Sequence, residues 1–144
     1  MTNLEALFIN NQRDNSGHVE LLKNLNLDFS DNYKLKTLNV SNNSINSLKV
    51  GYNLIDLDCS NNNLITLSTE KLLKLETLFC YNNKILELNL QNNLGLNNLH
   101  CKNNQLLFLN LSESHPYKVD SLEQKKTVSI VKNSFQIKGK NFIP

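Results

Sequence analysis

The sequence has no tryptophan, only two prolines and one methionine, and its four glycines are scattered along the chain. Scattered glycines exclude a glycine-rich loop of the kind that binds phosphate groups. Lys and Arg total 15 against 13 Asp and Glu, which gives a net charge of +2. This charge is too small to indicate binding to nucleic acid or to an anionic membrane.

Long apolar stretches are also missing. No apolar run approaches the roughly 18 residues that a membrane-spanning helix needs. The first residues lack the basic segment and apolar stretch that mark a secretory signal. If Met1 is the true start, we expect an intracellular, soluble protein with no membrane insertion. A length of 144 residues fits a single domain over 1–144.

Leucine and asparagine are abundant, and they recur with a fixed period. The pattern Leu-x-x-Leu-x-Cys-x-x-Asn begins at Leu75 and again at Leu96, and the same interval separates Leu75 from an earlier copy at Leu54. A fourth copy, with Val in place of Cys, begins at Leu35 after an interval that is shorter by two residues. A fixed period in this range indicates a solenoid, in which successive copies stack as turns.

Each unit is nearly two copies of a half-pattern of about 10 residues, Leu-x-x-Leu-x-Leu-x-x-Asn, whose Leu-x-Leu alternation has the period of a strand. We therefore predict one parallel strand per turn and a second extended leg opposite to it. The second half of the unit that begins at Leu54 departs from the half-pattern, with Thr69 and Leu72 in place of an apolar residue and Asn. About 10 residues leave no room for a helix, and only 68–75 is compatible with one helical turn.

The two ends of the chain depart from the period. Residues 1–34 have the pattern of a degenerate N-terminal repeat or cap, followed by an overlong crossover, and residues 35–111 are the regular repeats. Residues 112–144 abandon the period, although 127–132 and 134–143 alternate like two strands. We predict a C-terminal cap over the last turn, and the alternative is a partly ordered tail.

The repeat unit resembles the leucine-rich repeat family, in its bacterial type with a nested repeat of about 21 residues. The match is close over Leu35–Leu111 and partial over Leu4–Leu27. The resemblance implies an α/β-class solenoid that is mostly β, a right-handed superhelix with parallel strands and few or no helices. We expect roughly five turns. The resemblance also implies that the strand side binds a partner.

The resemblance assigns a structural role to one asparagine in each unit: Asn43, Asn62, Asn83 and Asn104. In the family this residue points inward after the strand, and its amide pairs with backbone groups of adjacent turns. The chemistry is suitable, because an amide offers both a donor and an acceptor to the buried backbone groups of a tight turn.

Three cysteines, Cys59, Cys80 and Cys101, occupy equivalent positions in successive units. Strands of successive turns lie about 4.8 Å apart, so the sulfur atoms form a row. Zinc needs thiolates wrapped around the ion at about 2.3 Å, which a row cannot supply. An odd count and identical inward orientation argue against a disulfide. We expect small buried apolar residues, with no metal and no cofactor.

His100 beside Cys101 is the strongest candidate for nucleophilic catalysis. Neighbours on a strand point to opposite faces, so the thiol lies in the core while the imidazole faces outward. The nucleophile and its base cannot then meet within hydrogen-bond reach. We therefore expect no catalytic residues and no enzymatic activity.

The positions between the repeat letters face outward from the strands. In three successive turns the candidate partner-binding residues are Asp56, Asp58, Phe79, Tyr81, His100 and Lys102. Aromatic side chains beside a cation are enriched in interface cores, whereas Asn and Ser, including Ser41 and Ser60, fill most other outward positions. The alternative is that Phe79 is a tolerated surface aromatic residue or is covered by the C-terminal segment.

These observations favour a non-catalytic, monomeric protein–protein interaction module that binds a protein partner on its strand side. The alternative function is a structural or adhesive segment of a larger surface protein. Both rest on the fold-level resemblance, because one fold serves many partners.

Overall fold

The structure is a computed structural model that describes residues 4–10, 25–112, 128–132 and 135–139. These described ranges contain eleven β-strands and no helix. In chain order the strands are β1 (Ala6–Phe8), β2 (Asn26–Phe29), β3 (Thr37–Asn39), β4 (Ser47–Val50), β5 (Asp56–Asp58), β6 (Thr77–Phe79), β7 (Glu87–Leu90), β8 (Asn98–His100), β9 (Phe108–Leu111), β10 (Val128–Lys132) and β11 (Phe135–Gly139).

The first sheet is entirely parallel and contains one strand from each turn, in the order β1-β3-β5-β6-β8. The central leucines of its last four strands stand side by side: Leu38, Leu57, Leu78 and Leu99. The prediction of a mostly β solenoid with parallel strands and no helices is confirmed. Five strands in register define four steps, so the solenoid has about four turns rather than the roughly five expected.

The opposite leg of each turn forms the second side of the solenoid. Strand β2 pairs with β4, and β7 pairs with β9, in both cases parallel. In the turn between these pairs, the equivalent leg over residues 64–69 is not a strand, although Leu64 and Leu67 are buried like their counterparts. The predicted second extended leg is therefore present, with its ladder of strand pairing interrupted in one turn.

The core is one continuous column of leucine, isoleucine, valine and cysteine between the two sides. In the central turn, for example, Leu54, Leu57 and Cys59 from the first side meet Leu64 and Leu67 from the second. Burying a leucine side chain stabilises the fold by about 1.5–3 kcal/mol. Because each side chain packs against the turns on either side, the stability of one turn depends on its neighbours.

The four asparagines with a structural role lie buried at the corner that follows each strand of the first sheet. The Nδ2 of Asn83 donates to the carbonyl oxygens of Cys80 and Tyr81 at 3.1 and 3.3 Å. It also donates to the carbonyl oxygen of Cys59 in the preceding turn at 3.0 Å. In return, its Oδ1 accepts the backbone N–H of Leu64 at 2.9 Å. One amide thus satisfies backbone groups of two turns.

The same pattern repeats along the stack, and we call this set of four residues the inner row. Asn62 and Asn104 each donate to three carbonyl oxygens and accept one N–H from the preceding turn. Asn43 makes the three donations, one of them to the carbonyl oxygen of Ile9. The inner row therefore joins every turn to the one before it.

A second set of asparagines, the outer row, immediately precedes the inner row in sequence: Asn42, Asn61, Asn82 and Asn103. All four have φ between 53° and 55°, the left-handed region that asparagine tolerates better than most residues. Each Nδ2 from Asn61 onward donates to the Oδ1 of the asparagine one turn earlier, at 2.9, 2.6 and 2.8 Å.

The corner on the other side of the solenoid is less regular. Residues 68–75 do not form the helical turn that the sequence allows, but two successive turns in which Leu72 N–H bonds Thr69 O and Leu75 N–H bonds Leu72 O. Thr69 is buried, and its hydroxyl donates to the carbonyl oxygen of Asn89 in the next turn. A polar residue at an apolar position is therefore satisfied by a hydrogen bond.

The shorter interval between Leu35 and Leu54 also has its origin at this corner. Val50 and Leu54 are separated by two residues fewer than the equivalent Thr69 and Leu75. The shorter path brings buried Gly51 against the preceding turn, where an added Cβ would lie 3.3 Å from the carbonyl oxygen of Asn32. Glycine suits this position because it lets the two backbones approach closely.

The ends of the solenoid continue its two sides. Leu7 is in register with Leu38, so the first crossover is much longer than the regular repeat, as the sequence suggests. At the other end β10 adds to β9 in parallel and β11 to β10 in antiparallel fashion, extending the second side. Residues 11–24 of the overlong crossover and residues 113–127, which precede the C-terminal strands, lie outside the described residues. No helix in the described ranges has the length and apolar character to cross a bilayer.

Replacing Asn83 with Leu tests the inner row. Removal of its amide leaves one buried N–H and several carbonyl oxygens without their partner, and each such group costs about 1–3 kcal/mol. We expect the free energy of unfolding in urea to fall by about 3 kcal/mol. Lys84→Ala, an exposed change one residue away, is the control and should cost less than about 0.5 kcal/mol. An Asn83→Leu protein as stable as the parent would contradict this role.

Replacing Asn82 with Ala or with Gly separates backbone strain from the amide contacts of the outer row. Both changes remove the same two side-chain hydrogen bonds, but only alanine resists the left-handed conformation. We expect Asn82→Ala to be less stable than Asn82→Gly by about 1 kcal/mol in urea unfolding. The same pair of changes at Lys84 should give the opposite order, and identical behaviour at both positions would refute the interpretation.

Candidate partner-binding site

The outward side chains of the first sheet form a surface that we call the strand face. Strand register aligns Asp58, Phe79 and His100 in one column, and Asp56, Thr77 and Asn98 in a second. Most of these side chains are partly exposed, because neighbours across the sheet cover their sides. The six candidate residues from the sequence therefore lie on three adjacent strands or directly after them.

Phe79 and His100 are in direct contact on the strand face. Their ring centroids are 4.8 Å apart and the ring planes meet at 79°, an edge-to-face arrangement. The contact follows from the register, which makes the two residues direct cross-strand partners. An aromatic pair of this geometry contributes about 0.5–1.5 kcal/mol beyond its buried area and restricts both side chains.

Tyr81 and Lys102 follow β6 and β8 at the edge of the face, and both are partly exposed. Their backbone carbonyl oxygens accept N–H groups from the turn before: Tyr81 O from Asn61, and Lys102 O from Asn82. The backbone of each residue is thereby held by the stack. In sequence they follow Phe79 and His100 toward the asparagine corner.

Ser41 and Ser60 are at outward positions of the repeat, but both are buried rather than exposed. The preceding outward residue captures each serine: Asn39 Oδ1 accepts the N–H and hydroxyl of Ser41 at 3.0 and 2.8 Å. Asp58 Oδ1 binds Ser60 in the same way at 3.0 and 2.6 Å. In these local turns, which asparagine and aspartate commonly form, the outward side chain covers the serine hydroxyl.

The two acidic candidates lie on β5, next to the aromatic strand. Asp58 is the cross-strand partner of Phe79, and its Oδ1 is fixed by Ser60. Asp56 Oδ2 lies 3.4 Å from the hydroxyl of Thr37, which donates to it. Residues two apart on a strand share a face, so both carboxylates belong to the strand face.

Phe8 is a member of this surface that the sequence reasoning missed. It is 61% exposed, and its register with Asn39 places it in the column of Asp58, Phe79 and His100. It belongs to the degenerate first repeat, which an overlong crossover separates from the regular repeats. The signal that could have identified it is the apolar alternation at the start of the chain.

The cysteines point away from this surface. Cys59, Cys80 and Cys101 are thiols in the core, at most 1% exposed. Burial raises the pKa of each thiol, and that of Cys101 to about 12. The neighbouring thiols of Cys101 and Cys59 further raise the pKa of Cys80. Since the thiolate is the nucleophile and metal ligand, these groups are poorly suited to either role.

The ionisable groups of the described ranges do not cluster as a metal site would require. No set of three or more His, Cys, Asp or Glu residues there is arranged to hold an ion. The six candidate residues of the strand face comprise three aromatic rings, two carboxylates and one ammonium group.

The buried thiols predict a pH dependence of stability. Above the ordinary pKa of 9.0 the unfolded chain releases its thiol protons while the folded chain keeps them, so the free energy of unfolding falls as pH rises. Between about pH 9 and 12, each such thiol contributes a slope of about 1.4 kcal/mol per pH unit. We expect Cys101→Ala to reduce the total slope, measured by urea unfolding from pH 9.5 to 11, by about that amount.

Val40→Ala is the matched control for this measurement. Val40 occupies the repeat position of the cysteines one turn before Cys59, is equally buried and does not titrate. Its replacement should lower stability without altering the slope against pH. Equal slopes for the parent protein and Cys101→Ala would contradict the prediction.

Comparisons of the chain with protein-family models, with curated proteins and with solved structures found no match.

Proposed function

We propose that this protein is a leucine-rich-repeat-type, monomeric module that binds a protein partner on its strand face and has no catalytic activity. The observation that carries the proposal is the edge-to-face pair of Phe79 and His100, flanked by Tyr81 and Lys102. Interfaces are enriched in such aromatic residues at their centre, and a few of them supply most of the binding energy.

The rigidity of this surface supports a role in binding. The aromatic pair restricts two side chains, and hydrogen bonds to the neighbouring turn hold the backbone of Tyr81 and Lys102. Side chains that are already ordered lose less entropy when a partner binds. A parallel sheet in strict register therefore presents its outward groups in a nearly fixed arrangement.

Other features support the remaining parts of the proposal. The repeat of Leu-x-x-Leu-x-Leu-x-x-Asn and the buried inner row support membership of the leucine-rich repeat family. Raised thiol pKa values and the separation of His100 from the core support a function without nucleophilic catalysis.

Affinity capture from an extract of the native cell tests the proposal. The purified chain is compared with a Phe79→Ala, Tyr81→Ala, His100→Ala triple variant under identical conditions. Because truncation of a central interface residue costs about 2 kcal/mol or more, we expect partner recovery to fall at least about tenfold. Partner capture that survives the triple change would refute binding through this surface.

A second triple variant provides the matched control. Ile65, Leu86 and Leu107 form an exposed apolar row on the other leg of the solenoid, 52%, 38% and 42% exposed. Replacing all three with Ala removes a comparable apolar area and should leave partner recovery unchanged. Circular dichroism of both triple variants checks that the fold is retained.

A further inference from the structure

The strand face has an order of charge along the solenoid axis. Asp56 and Asp58 stand on β5, the aromatic side chains of Phe79 and Tyr81 belong to the next turn, and Lys102 belongs to the turn after that. Neighbouring strands lie about 4.8 Å apart, so the backbones that carry the two aspartates and Lys102 are separated by about 10 Å along the axis. The aromatic row lies midway between them.

The acidic end of this arrangement is held in place by the fold. Ser60 donates two hydrogen bonds to Asp58 Oδ1, and Thr37 donates to Asp56 Oδ2. A partner with complementary charge would therefore meet a fixed pair of carboxylates beside the Phe79 ring. A basic side chain there can contact both the carboxylates and the aromatic surface.

The spacing of the acidic, aromatic and lysine positions along the axis decides which partner conformation fits. On one face of an α-helix, residues i, i+3 or i+4, and i+7 rise by about 5 and 10.5 Å, close to one and two strand spacings. An extended strand along the axis repeats on one side only every ~6.7 Å. Polyproline II repeats every ~9.3 Å, with no residue on that side at the midpoint. Of these three conformations, only the helix places one side chain opposite each of the acidic, aromatic and lysine positions.

We propose that the partner segment, assuming the proposed function, is an amphipathic helix lying along the solenoid axis across the strands. Its basic residue, at position i, binds Asp56 and Asp58. An apolar residue at i+3 or i+4 packs on Phe79 and Tyr81. An acidic residue at i+7 pairs with Lys102. Complementary charges at the two ends exclude helices with one sign of charge, because one end would then be repelled.

Three labelled alanine-rich helical peptides test this inference by fluorescence anisotropy with the full chain. All three carry leucine at i+3 and i+4, and they differ only at i and i+7: Lys and Glu, Glu and Glu, or Lys and Lys. We expect the Lys/Glu peptide to bind about tenfold more tightly than either of the others at low salt. The difference should shrink as salt is added.

Protein variants then assign the preference to the two ends. Asp56→Asn with Asp58→Asn removes the carboxylates but retains the capture of Ser60, since Asn39 holds Ser41 in the same way. This variant should bind the Lys/Glu and Glu/Glu peptides equally. Lys102→Gln should abolish the preference over the Lys/Lys peptide, whereas Lys84→Gln, a charge outside the strand face, should leave all preferences unchanged.

The outcomes separate this inference from the proposed function. Three peptides that bind alike, and are all weakened by Phe79→Ala with Tyr81→Ala, would overturn the charge-ordered helix while supporting the strand face as a binding surface. Failure of all three peptides to bind would also overturn the helix inference. Partner capture that is insensitive to the triple variant would overturn the proposed function itself.

Discussion

The fold depends on one buried amide in each turn. The inner-row asparagine donates to carbonyl oxygens of its own turn and of the preceding one. At Asn62, Asn83 and Asn104 the side-chain oxygen also accepts an N–H from the preceding turn. These backbone groups could not be left buried without partners, since each would cost about 1–3 kcal/mol. The amide therefore fixes the corner, and the corner sets the register in which the strands stack.

The two corners of the solenoid differ because only one carries this amide in every turn. The distance from the central strand leucine to the inner-row asparagine is the same in all four turns, as from Leu38 to Asn43. On the other side, the corner that contains Gly51 is two residues shorter than its counterparts. One turn later, Leu72 stands in place of asparagine. Buried Asn93 keeps its Oδ1 without a hydrogen-bond partner among the described residues. Variation in length is tolerated where no continuous amide row requires constant geometry.

Period and alternation were enough to predict the solenoid, its parallel strands and its core, because burial of leucine at fixed spacing leaves few alternatives. The sequence was less informative about outward positions. Ser41 and Ser60 are buried because each is hydrogen-bonded to the outward side chain two residues earlier, which alternation alone does not predict. Phe8 was missed because its register depends on a crossover of unusual length. The contact between Phe79 and His100 follows from register alone, so their proximity could be predicted, whereas the geometry of the rings could not.

The side-chain hydrogen bonds of the outer row all have the same direction along the solenoid axis. Each side-chain N–H from Asn61 to Asn103 points toward the amino-terminal turn, so the amide dipoles add instead of cancelling. Parallel strands also exchange backbone bonds along the axis, but these run both ways, as in Ile55 N–H to Lys36 O and Val40 N–H to Asp58 O. The aligned amides of these asparagines therefore have a net dipole along the solenoid axis, similar in origin to the macrodipole of a helix. This dipole makes the two ends of the solenoid different.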